Sequence, residues 1–308
     1  MKALEKVELL TLSYRGDYEV CRLLCESVDR FVPADIEHRL AVPRADLDLF
    51  ASLANSRRRL IAQEDLLPNW FVPVPRWLVR LVRLRRNLYL TPFSLPVRGW
   101  IAQQIMKISA AAESDADVLV HVDSDNAFVR PFSRDSLFKG GSVRLYRDPV
   151  PSGLASHQSW QRAAGRLLGL PDTGFHGGEY IDPLVTWRPD VARGLVRRIE
   201  EISGRNWVAT LARTQHFAEY VLYGVYADKI LGLDAAGHVP ETQSLSHPMW
   251  SGSFENDDAI DAFVDALEPQ HAACLIQSTL AESIERRREV FERVTGMAER
   301  QDRKRSDA

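Results

Sequence analysis

The sequence is poor in cysteine and has no excess of charge of either sign. Its three cysteines do not have the spacing of a metal site. Cys21 and Cys25 lie four residues apart on a predicted helix, so we interpret them as small core residues in a reducing compartment. The formal net charge of −3 gives no overall attraction to nucleic acid or to a membrane.

Long hydrophobic runs are also missing. No apolar stretch is long enough to cross a bilayer, and the charged amino terminus has too short an apolar run for a signal peptide. Hydrophobic residues make up 45% of the chain and charged residues 26%, which is typical of a globular protein. We therefore expect a cytoplasmic protein with no nucleic-acid partner.

Strand and helix patterns alternate along the amino-terminal part. Apolar residues predict strands over 7–13, 36–42 and 59–62, with helices over 18–31 and 45–53 between them. This alternation is typical of a parallel sheet covered by helices. Further helices are predicted over 99–112, 155–168, 190–203, 207–213, 217–230 and 257–267, and further strands over 141–146, 184–187 and 272–278. We expect an α/β protein with a Rossmann-type, mixed and mostly parallel sheet and a helical carboxyl-terminal part.

A buried strand predicted over residues 118–122 ends at two carboxylates, Asp123 and Asp125. Residues i and i+2 of an extended chain project to the same side. The carboxyl end of a strand is where open α/β sheets bind ligands. Two hard oxygen donors there suit Mg²⁺ or Mn²⁺ that also holds a phosphate. The pair is the principal candidate metal site.

Other polar residues stand beside glycine or on helix faces. Gln103, Gln104 and Lys107 share one face of the predicted helix with Trp100, either as a solvated stripe or as phosphate and sugar contacts. Residues 173–183 hold three glycines close to Glu179 and Asp182, and form either a connector or a bend near a ligand. Two further candidates are Glu219, which also suits a first helical turn, and the loop residue His247.

The segment from Arg76 to Tyr89 (RWLVRLVRLRRNLY) is basic and amphipathic. We interpret it first as a surface helix with a solvated arginine face. The alternatives are a mobile element over an anionic substrate and a peripheral contact with acidic lipid.

In its ordered set of motifs the sequence resembles bacterial glycosyltransferases of the GT-A fold, most closely a family known only as a domain of unknown function. The resemblance covers about residues 5–280. It is carried by residues 11–14, 99–107, 122–125, 130–131, 179–183, 219–224, 247–250 and 275–278.

The resemblance implies a single domain over residues 1–285, whose first part (1–132) binds a nucleotide-diphosphate sugar, most simply a UDP-sugar. The second part (133–285) would shape the site of an acceptor hydroxyl on a glycan, a lipid or a small molecule. Residues 286–308 are predicted to be a charged tail, helical at first and then disordered. The implied donor contacts are Ser13, Tyr14, Arg15, Gln104, Lys107, Asp123 and Ser124.

The resemblance also implies a metal cofactor, Mn²⁺ or Mg²⁺, which would stabilise the diphosphate leaving group. Asp125 would bind it directly, Asp123 would contact the ribose or metal-bound water, and His247 would complete the metal shell. If the reaction inverts the sugar, a carboxylate near the acceptor must act as base. The candidates, in order, are Glu219, Asp182 and Glu179.

Two other functions remain open on the sequence. A Mg²⁺-dependent phosphotransferase or phosphatase with an aspartyl nucleophile also places Asp-x-Asp after an apolar strand. That motif normally continues to a threonine where this chain has Ala127, although Asp257 and Asp258 could mimic its later acidic pair. The other alternative is a nucleotide-sugar-binding protein without turnover. The presence of Asp123, Asp125 and His247 argues against this alternative.

Overall fold

A five-stranded sheet organises the chain in a computed structural model that describes residues 6–75 and 87–306. The strands of the described part are β1 Val7–Leu12, β2 Glu37–Val42, β3 Arg58–Ala62, β4 Val72–Pro73, β5 Leu88–Leu90, β6 Val97–Arg98, β7 Val118–Val122, β8 Asn126–Phe128, β9 Phe138–Lys139, β10 Ser142–Tyr146, β11 Leu184–Trp187, β12 His238–Glu241, β13 Ser246–Met249 and β14 Ala273–Ile276. The α-helices are α1 Tyr18–Phe31, α2 Leu47–Phe50, α3 Gly99–Glu113, α4 Ala155–Leu168, α5 Pro189–Ser203, α6 Trp207–Arg213, α7 Glu219–Val225, α8 Asp257–Asp265 and α9 Ile284–Ser306.

The strand order of the central sheet is β11-β7-β1-β2-β3. All neighbouring pairs are parallel except β11 with β7, which is antiparallel. The central strands β1 and β7 are buried on both faces, as their mostly apolar sequences predict for a parallel sheet. The prediction of an α/β protein with a mixed, mostly parallel sheet is confirmed. Three small sheets, β12-β10-β9, β13-β14-β8 and β4-β5-β6, lie outside it.

Helices cover both faces of the sheet because alternate strand residues point to opposite sides. Leu10 and Leu119 pack into a core that includes the apolar face of α3, whereas Leu9 and Val120 pack into a second core that includes α1. The parallel strands therefore end together at one edge, between the covering helices.

Most predicted helices and strands are present within one or two residues of their predicted bounds. Helix α5 begins at Pro189, one residue before its predicted start, and Arg188 occupies the N-cap position. Asp190 lies in the first turn and accepts a hydrogen bond from the Val191 amide. The helix predicted over 217–230 is divided into α7 and a π-helical turn, Tyr226–Leu231.

The carboxyl-terminal segment differs from its prediction. Helix α9 continues to Ser306, so the described part of the predicted tail is helical rather than disordered. The reason is an apolar stripe within a charged sequence: Val290, Val294 and Ala298 are four residues apart and fully buried. The predicted domain boundary at residue 285 falls inside this helix.

Within the basic segment from Arg76 to Tyr89, residues 76–86 lie outside the described residues. Leu88 and Tyr89 belong to β5, so the predicted helix does not extend that far. No helix of the part described has the length and apolar character to cross a membrane.

A buried polar chain crosses four strands of the central sheet. Arg58 donates from Nε to Nδ1 of His38 at 2.9 Å, so the imidazole carries its proton on Nε2 and donates to Thr11 Oγ1 at 3.0 Å. Thr11 donates in turn to the carbonyl of Val122 at 2.9 Å. Burial, together with the charge of Arg58, lowers the pKa of His38 to about 3. This series of hydrogen bonds holds the ends of β1 and β7 side by side.

We predict that His38→Gln reduces the acid sensitivity of the fold. The His38 pKa is lower in the folded chain than in the unfolded one, so its contribution is full above about pH 6.5 and is lost as the pH falls. Glutamine keeps a donor and an acceptor but does not titrate. Between about pH 7 and about pH 4.5 the variant should lose ~2–3 kcal/mol less unfolding free energy than the wild type.

Urea unfolding at the two pH values measures this difference. The exposed His216 provides the control, and His216→Gln should behave as the wild type. An equal pH dependence of wild type and His38→Gln would contradict the prediction.

Candidate functional site

The ends of β1 and β7 form the floor of the candidate site. Parallel pairing aligns Leu10 with His121, and Thr11 donates to the carbonyl of Val122, so residues 12–14 leave β1 beside residues 123–125. Asp123 and Asp125 therefore leave the sheet at its carboxyl edge, as predicted. Asp125 is buried, and the side chain of Asp123 is 36% exposed.

Lys107 occupies the centre of the site. Its Nζ lies 2.9 Å from Asp123 Oδ1 and 2.9 Å from Glu219 Oε1, and it donates to the Tyr220 hydroxyl at 2.8 Å. Burial lowers the pKa of Lys107, but the charges of Asp123 and Glu219 outweigh it and raise this pKa well above 10.5. Lys107 is thus a fixed cation shared by carboxylates from β7 and α7.

Gln104 lies one turn before Lys107 on α3. Its side-chain oxygen accepts a hydrogen bond from the backbone amide of Glu219 at 3.0 Å. The Gln104 side chain thereby satisfies an amide in the first turn of α7 that has no partner within the helix. The sequence predicted that Gln104 contacts the nucleotide-sugar donor. In the structure its side chain positions Glu219.

Asp125 is desolvated next to a like charge. Burial first, and Asp123 second, raise its pKa to about 6. Its carboxylate accepts a hydrogen bond from the Ser278 amide at 2.6 Å, and its carbonyl accepts one from the Ile276 amide at 3.2 Å. The end of β14 therefore holds Asp125 in place from the carboxyl-terminal half of the chain.

Asp182 is another carboxylate whose pKa is raised near Asp123. Burial raises it to about 7, although nearby Arg144 lowers it, and Asp123 adds a small repulsion. Asp182 is close to the site because β11 runs antiparallel to β7, with Leu184 aligned to Val122. A carboxyl group with a pKa near neutrality can exchange a proton at working pH.

Asn126 holds the surrounding segments together. Its side-chain amide donates to the carbonyls of Asp123 at 3.1 Å and Pro183 at 3.3 Å, and its oxygen accepts from Ser246 Oγ at 2.9 Å. The sequence did not identify Asn126 or Tyr220 as part of the site, because neither residue has a local pattern that reveals distant partners.

The residues predicted to contact the nucleotide differ in their exposure. Ser13 and Ser124 are buried at the strand ends, whereas the Arg15 side chain is 57% exposed and pairs with Asp46. The ring of Tyr14 lies against Gly16, where a Cβ atom would approach it to 2.4 Å. These residues border the sheet edge that carries Asp123, in agreement with a shared site.

Two predicted residues have other partners. Glu179 accepts from the Ser152 amide at 3.1 Å, and its second oxygen lies 3.1 Å from Nδ1 of His157. The predicted metal shell is corrected, because the described part of the structure does not bring His247 together with Asp123 and Asp125. The Nε2 atom of His247 donates to the Phe263 carbonyl at 2.8 Å, and its ring stacks on that of Phe263. Over residues 6–75 and 87–306, no cluster of three or more histidine, cysteine or acidic side chains could hold a metal.

The donor set of Asp123 and Asp125 nevertheless fits a hard divalent cation. Mg²⁺ is commonly bound by one or two carboxylates together with waters and substrate phosphates, rather than by a complete protein cage. The repulsion between two adjacent carboxylates, one of them desolvated, is what such a cation relieves. The fit requires only these two residues and does not include His247.

The acidic pair of the phosphotransferase alternative lies elsewhere. Asp257 is exposed in the first turn of α8 and pairs with Arg293 at 3.2 Å. Asn256 caps this helix. Asp257 is therefore a surface residue that lies in the first turn of α8 and forms an ion pair.

Comparison with protein families identifies the chain. The model of the family of unknown function DUF6492 matches residues 3–298. The chain belongs to this family. A comparison with curated proteins found no match.

Solved structures of two glycosyltransferases show a general likeness to this chain. The galactosyltransferase LgtC, in complex with donor and acceptor sugar analogs, is 13% identical with a TM-score of 0.44; 92% of this chain and 95% of that one are covered. Mouse xyloside xylosyltransferase 1 in its apo form is 9% identical with a TM-score of 0.48; 91% of this chain and 100% of that one are covered.

We predict that Lys107→Met destabilises the fold by ~2–4 kcal/mol, because it leaves the largely buried Glu219 and the half-buried Asp123 without their cation. Adding Glu219→Gln should restore a large part of that loss, since it removes one of the two stranded charges. Urea unfolding of the single and double variants measures the coupling.

The exposed pair of Lys139 and Glu241 serves as the control. Lys139→Met should cost less than about 1 kcal/mol. Additive effects of Lys107→Met and Glu219→Gln would contradict a shared ion bridge.

A further prediction concerns the pH dependence of Asp125. Its folded pKa of about 6 exceeds its ordinary value of 3.8, so the carboxyl group stabilises the fold most below about pH 4 and progressively less up to about pH 6. Asp125→Asn lacks this dependence. Without divalent cations the wild type should lose up to ~3 kcal/mol relative to the variant across this window, as measured by urea unfolding.

Asp135→Asn, on the exposed surface, is the matched control and should follow the wild type. A constant difference between wild type and Asp125→Asn over the window would refute the raised pKa.

Proposed function

We propose that this DUF6492 protein is a metal-dependent glycosyltransferase. It would transfer a sugar from a nucleotide-diphosphate sugar, a UDP-sugar being the first expectation, to an acceptor hydroxyl. The supporting observation is the pair Asp123 and Asp125 at the carboxyl end of β7, with Lys107 fixed beside it. Carboxylates and a fixed cation at this edge suit a ligand that carries both phosphate and a divalent ion.

The acidic and basic residues of the site would have different roles. Asp125 and Asp123 would hold Mn²⁺ or Mg²⁺, which stabilises negative charge on a departing diphosphate. Lys107 adds a fixed positive charge that needs no reorganisation during the reaction. Ser13, Tyr14, Arg15 and Ser124 would line the nucleotide at the neighbouring strand ends.

The acceptor base is assigned by the partners of each candidate carboxylate. Glu219 is ion-paired with Lys107, which favours a charged group that orients Lys107 over one that removes a proton. Asp182 combines a pKa of about 7 with proximity to Asp123, so we place the base there if the reaction inverts. Glu179 instead pairs with His157.

A donor screen tests the proposal. UDP-, GDP-, CMP- and dTDP-sugars are added with Mn²⁺, Mg²⁺ or a chelator, and thermal unfolding is followed. One nucleotide class should raise the unfolding temperature by roughly 5 °C near 100-fold the dissociation constant, and only with the metal. Asp125→Asn and Asp123→Asn should abolish the shift, while Asp135→Asn should retain it.

Transfer must accompany binding for the enzyme proposal to stand. Release of the nucleoside diphosphate is measured for each donor that binds, with and without a panel of acceptors. Binding with no hydrolysis or transfer by the wild type would favour a nucleotide-sugar-binding protein instead. Selective binding that persists unchanged in Asp125→Asn with a chelator would exclude the proposed metal role.

A further inference from the structure

A continuous aromatic surface lies along α3 and α4. The rings of Trp100 and Trp160 are 5.8 Å apart with an interplanar angle of 32°, and those of Trp160 and His157 are 4.7 Å apart at 37°. Trp100 is 47% exposed, although tryptophan usually buries most of its large apolar area. We call Trp100, Trp160 and His157 the aromatic face.

Hydrogen-bonding groups border the aromatic face. Glu179 holds the His157 imidazole at 3.1 Å and is itself anchored by the Ser152 amide. Gln103 lies one turn from Trp100 and is half-buried. An apolar surface bordered by a carboxylate, an imidazole and an amide suits a ligand with C–H groups on one face and hydroxyl groups around its rim.

The aromatic face is linked to the candidate site through α3. Gln104 donates to the Trp100 carbonyl at 3.4 Å and accepts from the Glu219 amide at 3.0 Å. Trp100 and Lys107 are seven residues apart and share one side of the helix, about 10 Å along its axis. A ligand that reaches from one to the other must be longer than a single sugar ring.

We propose that the aromatic face is an acceptor subsite for a saccharide of two or more units, stacked on Trp100 and Trp160 and hydrogen-bonded by Glu179 and His157. The pyranose C–H faces pack on the indole rings, and the terminal hydroxyl points along α3 toward Lys107. The inference rests on the proposed function in taking the saccharide as acceptor. The same chemistry is offered by a free oligosaccharide and by the glycan of a glycolipid.

Binding is measured by tryptophan fluorescence and by saturation-transfer NMR. The probes are glucose, galactose, cellobiose, maltose, lactose and their trisaccharides, with vesicles bearing and lacking a lactosyl lipid. At least one di- or trisaccharide, free or on the lipid, should bind at least tenfold more tightly than its monosaccharide. Trp100→Ala should weaken that binding at least tenfold, while Trp100→Phe, which keeps a flat ring, should restore most of it.

Phe93→Ala is the matched control. Phe93 is 43% exposed, and its ring packs on Trp70 rather than on Trp160. Glu179→Gln should weaken saccharide binding severalfold without changing the thermal shift by the nucleotide sugar. The thermal shift by the nucleotide sugar should also be unchanged in Trp100→Ala, which excludes a folding defect.

The outcomes separate the subsite from the proposed function. Donor binding with no saccharide binding, or with saccharide binding unaffected by Trp100→Ala, overturns the subsite and leaves the glycosyltransferase proposal standing. Saccharide binding that depends on Trp100, with no donor binding, supports the subsite and overturns the transferase. Equal binding to vesicles with and without the glycan would show a lipid contact and overturn the saccharide subsite.

Discussion

The candidate site depends on one lysine shared by two carboxylates. Lys107 comes from the helix before β7, Asp123 from the end of β7, and Glu219 from the first turn of α7, 112 residues after Lys107. An ammonium group enclosed in this way is stable only while its partners remain, and each carboxylate is tolerated only while the lysine is present. The ion bridge therefore joins the two halves of the chain at the sheet edge where a ligand would bind.

Around this ion bridge the protein buries carboxyl groups whose charged forms are destabilised by burial. Asp125 and Asp182 both have raised pKa values, and Asp123 contributes to each shift. Asn126 holds the backbone of Asp123 and Pro183 beside them, and accepts a hydrogen bond from Ser246. Burial of adjacent acidic groups costs folding free energy and is typical of sites whose charge is completed by a ligand.

The sequence was informative where the physics is local. The periodicity of α1, α4 and α6 and the apolar run of β7 are determined by neighbouring residues, and the structure has them within a residue or two. It was least informative where a distant partner decides. His247 has an imidazole typical of a metal ligand, yet the described part of the structure does not bring it together with Asp123 and Asp125. Helix α9 is ordered because its apolar stripe packs against other helices.

By itself the sequence determined an α/β protein and the position of Asp123 and Asp125 after a buried strand, because strand period and apolar content are properties of short segments. Only the tertiary structure decided which side chains join them. Lys107, Glu219 and Tyr220 converge through helix packing, Asp182 through the antiparallel β11, and Trp100 meets Trp160 across two helices. Contacts between residues far apart in the chain depend on the packing of whole elements, and no local pattern encodes them.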